Sequence, residues 1–188
     1  MAQAKSLTQN EIDQVLRFIS NTKLGYRDRV IFLFTVWSGM RIKEVASLRS
    51  CDVVNTDGTI KAEVRLAAEQ TKGRHSRTVF LPEKFRREIA DYIRGKCLKF
   101  PELPLFYSHT GKAFSANTLC NHFYWLYRRA GISGASSHSG RRTFITSLAG
   151  KGIGVWVLAS LAGHRSISVT QRYIDVNDDM KRQAVELV

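Results

Sequence analysis

Acidic residues are scarce in this 188-residue chain: 16 Asp and Glu stand against 29 Lys and Arg, a formal charge of +13. None falls between 103 and 174, a stretch that holds Lys112, Arg128, Arg129, Arg141, Arg142, Lys151, Arg165 and Arg172. A face built from that stretch carries no negative charge of its own, which suits a polyphosphate partner such as nucleic acid. Cysteine is scarce too. Cys51, Cys97 and Cys120 are an odd number without C-x-x-C spacing, so neither a disulfide framework nor a cysteine zinc site is expected. Apolar runs such as Val30 to Trp37 are far shorter than the ~20 residues that span a bilayer, and MAQAKSLTQN has no apolar signal core. The expectation is a soluble, cytoplasmic protein with no membrane contact. Its hydrophobic content of 44% is enough to bury a core and excludes disorder as the main state.

The standard hydrolytic templates are also missing. Ser137-His138-Ser139-Gly140 is not a G-x-S-x-G elbow, and no acid nearby could orient His138. No H-E-x-x-H occurs, and Gly150 to Gly154 lacks the Lys-Ser or Lys-Thr of a phosphate loop. What remains are cations, imidazoles and phenols. Forked Arg donors, His N–H groups and a Lys complement the charge on the non-bridging oxygens of a phosphodiester, with no metal or other cofactor needed.

Thr8 and Glu11 form a capping box that opens a helix to about Asn21, with Ile12, Val15, Leu16 and Ile19 at helical spacing. Tyr26 to Ser38 is apolar nearly all round and is expected as a buried helix stopped by Gly39. Met40 to Leu48 is a further short helix. From Cys51 to Leu81 the pattern changes to strands, with a turn at Asn55-Thr56-Asp57-Gly58 and a basic tip at Thr71-Lys72-Gly73-Arg74. Pro82 opens a helix, Pro101 and Pro104 mark a loop, and everything beyond Ser115 reads as helices: Ser115 to Arg129, Ser136 to Ala149, Val155 to Leu161, Ser166 to Arg172 and Asn177 to Leu187. The expected fold class is α+β, mostly α-helical, with a small three-stranded antiparallel sheet, as a single domain over 1–188.

Three segments carry a resemblance. Ser38-Gly39-Met40-Arg41-Ile42-Lys43-Glu44-Val45, His138-Ser139-Gly140-Arg141-Arg142-Thr143-Phe144, and Leu161 to Tyr173 resemble, in order, the signature boxes of the tyrosine recombinase (phage integrase) family. The likeness runs from Thr8 to the C-terminus. It implies the family's catalytic domain, without the N-terminal core-binding domain that completes a clamp on DNA. The chain is expected to be either a catalytic-domain fragment or a short form resembling the bacterial fimbrial phase-variation recombinases.

The resemblance also implies roles. Arg41 and Arg141 fork onto the scissile phosphate, with Glu44 a structural partner of Arg41. Lys72, on the hairpin tip, is the general acid for the departing 5′ oxygen. His138, at the family's H-x-x-R spacing, bonds a phosphate oxygen or accepts the tyrosine proton. His164 is a second imidazole donor, and Tyr173 is the nucleophile; a phenol of pKa near 10 needs surrounding cations to favour its phenolate. Lys43, Arg74, Arg77, Arg142 and Arg165 are expected to contact DNA. Gly140 departs from the family's usual Leu, so an unfilled core position and a less rigid Arg141 are expected there.

The implied activity is site-specific DNA recombination through a 3′-phosphotyrosyl intermediate, without metal or ATP. It acts on double-stranded DNA as a homotetramer on paired sites, with a possible accessory DNA-bending protein, in a bacterial or phage nucleoid. A tail containing Met180, Ala184, Val185, Leu187 and Val188 would dock on a neighbouring subunit or pack on its own. Two alternatives stay open: a DNA-binding or regulatory relative with weak recombination, and a nicking and rejoining enzyme of the type IB topoisomerase kind.

Overall fold

The computed structural model describes residues 4–71, 73–94, 100–174, 182 and 185–186. Lys72, Cys97 and most of the expected C-terminal helix and tail lie outside them. Helix α1 (Gln9–Ser20) opens as its capping box dictates: the Thr8 hydroxyl accepts the Glu11 N–H, and the Glu11 carboxylate accepts the Thr8 N–H at 3.0 Å. Its buried Ile12, Val15 and Ile19 face α2 (Gly25–Trp37), the helix with hardly any polar face, in which Val30 to Phe34 are all at most 1% exposed. Phe34 meets Phe85 edge-on at 4.7 Å and Phe106 at 6.0 Å, so α2 forms the axis on which α5 (Glu83–Ile93) and the following loop are anchored.

Short helices α3 (Ile42–Ala46) and α4 (Ser50–Val53) precede the sheet. Among the described residues the sheet is two-stranded rather than three-stranded: β1 (Glu63–Leu66) pairs antiparallel with β2 (Arg77–Phe80), Val64 opposite Val79. The expected strand after Cys51 is replaced by α4, because the Asp52 carboxylate accepts the Arg49 N–H and caps a helical turn there. Only an isolated bridge, Val54 with Ile60, remains of it, closed by the anticipated turn with Gly58 at φ +86°.

Beyond the sheet, α6 (Ala116–Arg129) is capped by Ser115, whose hydroxyl accepts the Thr118 N–H. Helix α7 (Ser139–Gly150) begins three residues later than expected, with His138 as its N-cap. It lies along α2, and α8 (Val155–Ala162) and α9 (Ile167–Gln171) follow it.

The expected gap at Gly140 is absent. Gly140 is where α7 meets α2: a Cβ built there would stand 2.0 Å from Thr35 Oγ1 and 2.7 Å from Thr35 Cβ. The glycine is what lets the two helices approach, and the core position is filled by the partner helix.

Candidate active site

Three backbone turns converge on one place. The first follows α2, where Gly39 takes φ +63° and a side chain would strike the Phe144 ring of α7 at 2.4 Å. This turn places Arg41 at the N-cap of α3. The second is the start of α7, which carries His138 and Arg141. The third ends α8: Gly163 is left-handed at φ +62°, its N–H reaches Ser160 O, and the His164 N–H reaches Ala159 O, a Schellman ending that fixes the exit of His164.

Arg141 joins all three. It is 5% exposed, donating from Nη1 to Gly39 O at 2.6 Å and from Nη2 to Ala162 O at 2.5 Å and His164 Nε2 at 2.9 Å. Burial, and then the charge of Arg41, push its pKa down to about 9, so it remains a cation at neutral pH. Arg41 is half-buried, with Nη1 on Glu44 Oε1 at 3.1 Å and Nη2 on Gly163 O at 3.2 Å. Glu44 is fully buried. Burial raises its pKa, but the hydrogen bonds and charge of Arg77, with those of Arg41, outweigh this and hold it below the usual carboxylate range.

His164 is bonded on both ring nitrogens, Nε2 to Arg141 and Nδ1 to Thr170 Oγ1 at 2.8 Å. Burial, followed by the charges of Arg141, Arg41 and Arg77, pushes its pKa down to about 4. Tyr173, just past α9, stacks on this imidazole with ring centroids 5.7 Å apart and planes 21° apart. The Arg142 guanidinium lies over the other aromatic partner of this group, 5.3 Å from the Tyr173 centroid.

Arg41, Arg141, His164 and Tyr173 are thus brought together. His138 stands exposed at the N-cap of α7, three residues before the buried Arg141. Lys72 lies outside the described residues, but its flanks are held: Thr71 Oγ1 bonds His75 O at 2.7 Å, and Lys43 Nζ of α3 donates to Thr71 O at 3.2 Å. Lys43, Arg74 and Arg165 are exposed. Arg77 departs from the expected DNA-facing set. Its side chain is 9% exposed and forked onto Glu44, because a buried carboxylate needs a buried cation. Arg142 likewise turns to Tyr173 and Ser6. Thr170, fully buried, has no role in the sequence reading; its place three residues before Tyr173 is the signal, legible only once the His164 ring is seen to need a partner.

The sequence pattern of the phage integrase family matches residues 5–180. Tyrosine recombinase XerA of Pyrococcus furiosus is 30% identical over 183 residues, covering 97% of this chain and 61% of that protein. Tyrosine recombinase XerC of Herpetosiphon aurantiacus is 29% identical, covering 93% of this chain and 57% of its own length. The chain therefore spans about three-fifths of these relatives. Among solved structures, XerA recombinase superposes with a TM-score of 0.77 at 21% identity, over 100% of this chain and 66% of that one. The Tn1549 transposon integrase, solved with a circular intermediate DNA, gives 0.76 at 19% identity over 100% and 67%. These likenesses establish the fold.

Proposed function

Because the chain belongs to the phage integrase family of tyrosine recombinases, we propose that it cuts and rejoins double-stranded DNA at a defined site through a covalent phosphotyrosyl intermediate. The observation that carries this reading is the stack of Tyr173 on His164, whose Nε2 is bonded to Arg141 while Arg41 binds the same turn. Arg41, Arg77 and Arg141 against Glu44 leave two positive charges in excess, three guanidiniums and one carboxylate, beside a phenol. That is a site for an anion whose charge grows during reaction.

In the proposed step the Tyr173 oxygen bonds to phosphorus and the P–O5′ bond breaks, leaving a 3′-phosphotyrosyl link. The phenol proton passes to His138 at the rim, and Lys72 protonates the departing 5′ oxygen. Guanidiniums supply the charge neutralisation, Arg41 and Arg141 being placed to share the phosphate oxygens. His164 Nε2 accepts from Arg141 in the free protein, so this imidazole first positions Arg141. A bound phosphate beside it favours its protonation and turns it into a donor. A 5′ hydroxyl from another strand then attacks the phosphotyrosine and restores the phenol. One phosphodiester is made for each one broken, so no ATP is consumed. Exchange between two duplexes calls for four copies on paired sites, and an accessory bending protein would assist where the duplexes must be brought together.

The test is a nicked duplex that traps cleavage by losing the short 5′-hydroxyl strand. The wild-type chain should form a protein–DNA adduct resistant to denaturant, and Tyr173→Phe should form none. An adduct with Tyr173→Phe would overturn the mechanism, and relaxation of generic supercoiled DNA without site preference would overturn the recombinase reading.

A further inference from the structure

We infer that Arg77 is a positioning residue for the reaction: through buried Glu44 it sets where Arg41 points, and through Leu161 and Gly163 it holds the turn that delivers His164. The inference rests on the recombinase reading above. Arg77 Nε and Nη2 fork onto Glu44 Oε1 at 3.1 Å and Oε2 at 2.6 Å. The same two oxygens hold Arg41, Oε1 through its Nη1 at 3.1 Å and Oε2 through its backbone N–H at 2.8 Å. The remaining arm of Arg77 donates from Nη1 to Leu161 O at 2.9 Å. Its stem fills the space above Gly163, where a Cβ would stand 2.6 Å from Arg77 Cδ. One strand residue therefore braces both the helix of the first arginine and the turn of His164.

The burial explains why two arginines share one carboxylate. Glu44 has no exposure to water, so its charge must be matched from within. The Arg41 side chain is 20% exposed and is the one asked to reach a phosphate; Arg77 is 9% exposed and has no outward task. With Arg77 neutralising Glu44, Arg41 is free to lean outward. Without it, Glu44 would either draw Arg41 inward or take up a proton and release it. Lysine cannot replace Arg77, because one ammonium cannot reach both carboxylate oxygens and the Leu161 carbonyl. The charged groups around Glu44 are Arg41 on its own helix, Arg77 on the strand and Arg141 on α7, with His164 beyond them.

The test compares adduct formation on the nicked duplex at saturating DNA, across a pH range, for wild type, Arg77→Gln, Arg77→Lys and the double variant Glu44→Gln/Arg77→Met. Arg77→Gln should slow cleavage roughly 100-fold, the scale of a small misplacement of a reacting group. Its deficit should deepen toward acid pH, as Glu44, stripped of its fork, takes up a proton within the working range. Arg77→Lys should restore a flat pH profile with only part of the rate. The double variant, relieved of the buried charge, should fold as well as wild type yet cleave at every pH at the slow rate that Arg77→Gln reaches at its acid end. Wild-type cleavage by Arg77→Gln, or full recovery in the double variant, would overturn the inference. An arm independent of activity is the NMR titration of the Glu44 carboxyl and the Arg41 Nε–H signal in Arg77→Gln: both should change, and unchanged signals would overturn it. A wild type that forms no adduct defeats the recombinase reading instead, and the NMR arm still decides the role of Arg77.

Discussion

His164 has a hydrogen bond on each ring nitrogen, and the chemistry of its partners fixes which nitrogen carries the proton. A guanidinium only donates, so Nε2, 2.9 Å from Arg141 Nη2, must be the acceptor. The proton of the neutral ring then sits on Nδ1 and is donated to Thr170 Oγ1 at 2.8 Å. Nitrogen NMR of the free protein at neutral pH should show a protonated Nδ1 and a bare Nε2, with titration only near pH 4, where burial and the neighbouring arginines place it. A lowered histidine pKa means that the neutral form holds above that value and the cation appears only below it. A histidine limb near neutrality in the free protein therefore belongs to another imidazole. Finding the proton on Nε2 would sink this assignment and, with it, the idea that His164 first holds Arg141.

At the scale of elements, the contact between α2 and α7 decides how the second arginine is held. Two effects compete at Gly140. Replacing glycine by alanine within a helix stabilises by up to ~1 kcal/mol through backbone entropy, and by less in the first turn, where Gly140 lies. Here the new Cβ would press on Thr35, whose Oγ1 is tied to Phe32 O at 2.7 Å and cannot simply swing away. Overpacking of this kind costs about 1–3 kcal/mol, so the steric effect wins. Gly140→Ala should lower the denaturant midpoint, and Gly140→Leu, the residue usual in the family, should lower it further. Combining Gly140→Ala with Thr35→Ala should recover only part of the loss, because the 2.7 Å approach to the Cβ of residue 35 persists. A stabilised Gly140→Ala protein would show that the helices separate easily.

For the molecule as a whole, what the sequence disclosed follows from how far apart the partners are along the chain. Capping at Thr8 and Ser115, the largely apolar α2 and the three boxes are local patterns, and each appears where the residues place it. The strand expected after Cys51 failed to form because a side chain-to-backbone bond, Asp52 to Arg49, outweighed the alternation of residue types. The role of Arg77 was illegible because Glu44 lies 33 residues away, and a cation beside a hairpin tip reads as solvated. The five arginines and lysines expected on DNA therefore divide by burial, and the charge of +13 overstates what a duplex can meet. Salt dependence measures that division, since each phosphate contact contributes about −0.9 to the slope of log affinity against log salt. Arg74→Gln and Arg165→Gln, both at exposed positions, should each flatten the slope by about 1 on the duplex used for cleavage. Arg29→Gln should leave it unchanged, because that guanidinium is already forked onto Glu88 at 2.6 and 2.7 Å. Equal slopes for Arg74→Gln, Arg165→Gln and wild type would mean that the DNA lies against a different face from the one the exposed cations mark.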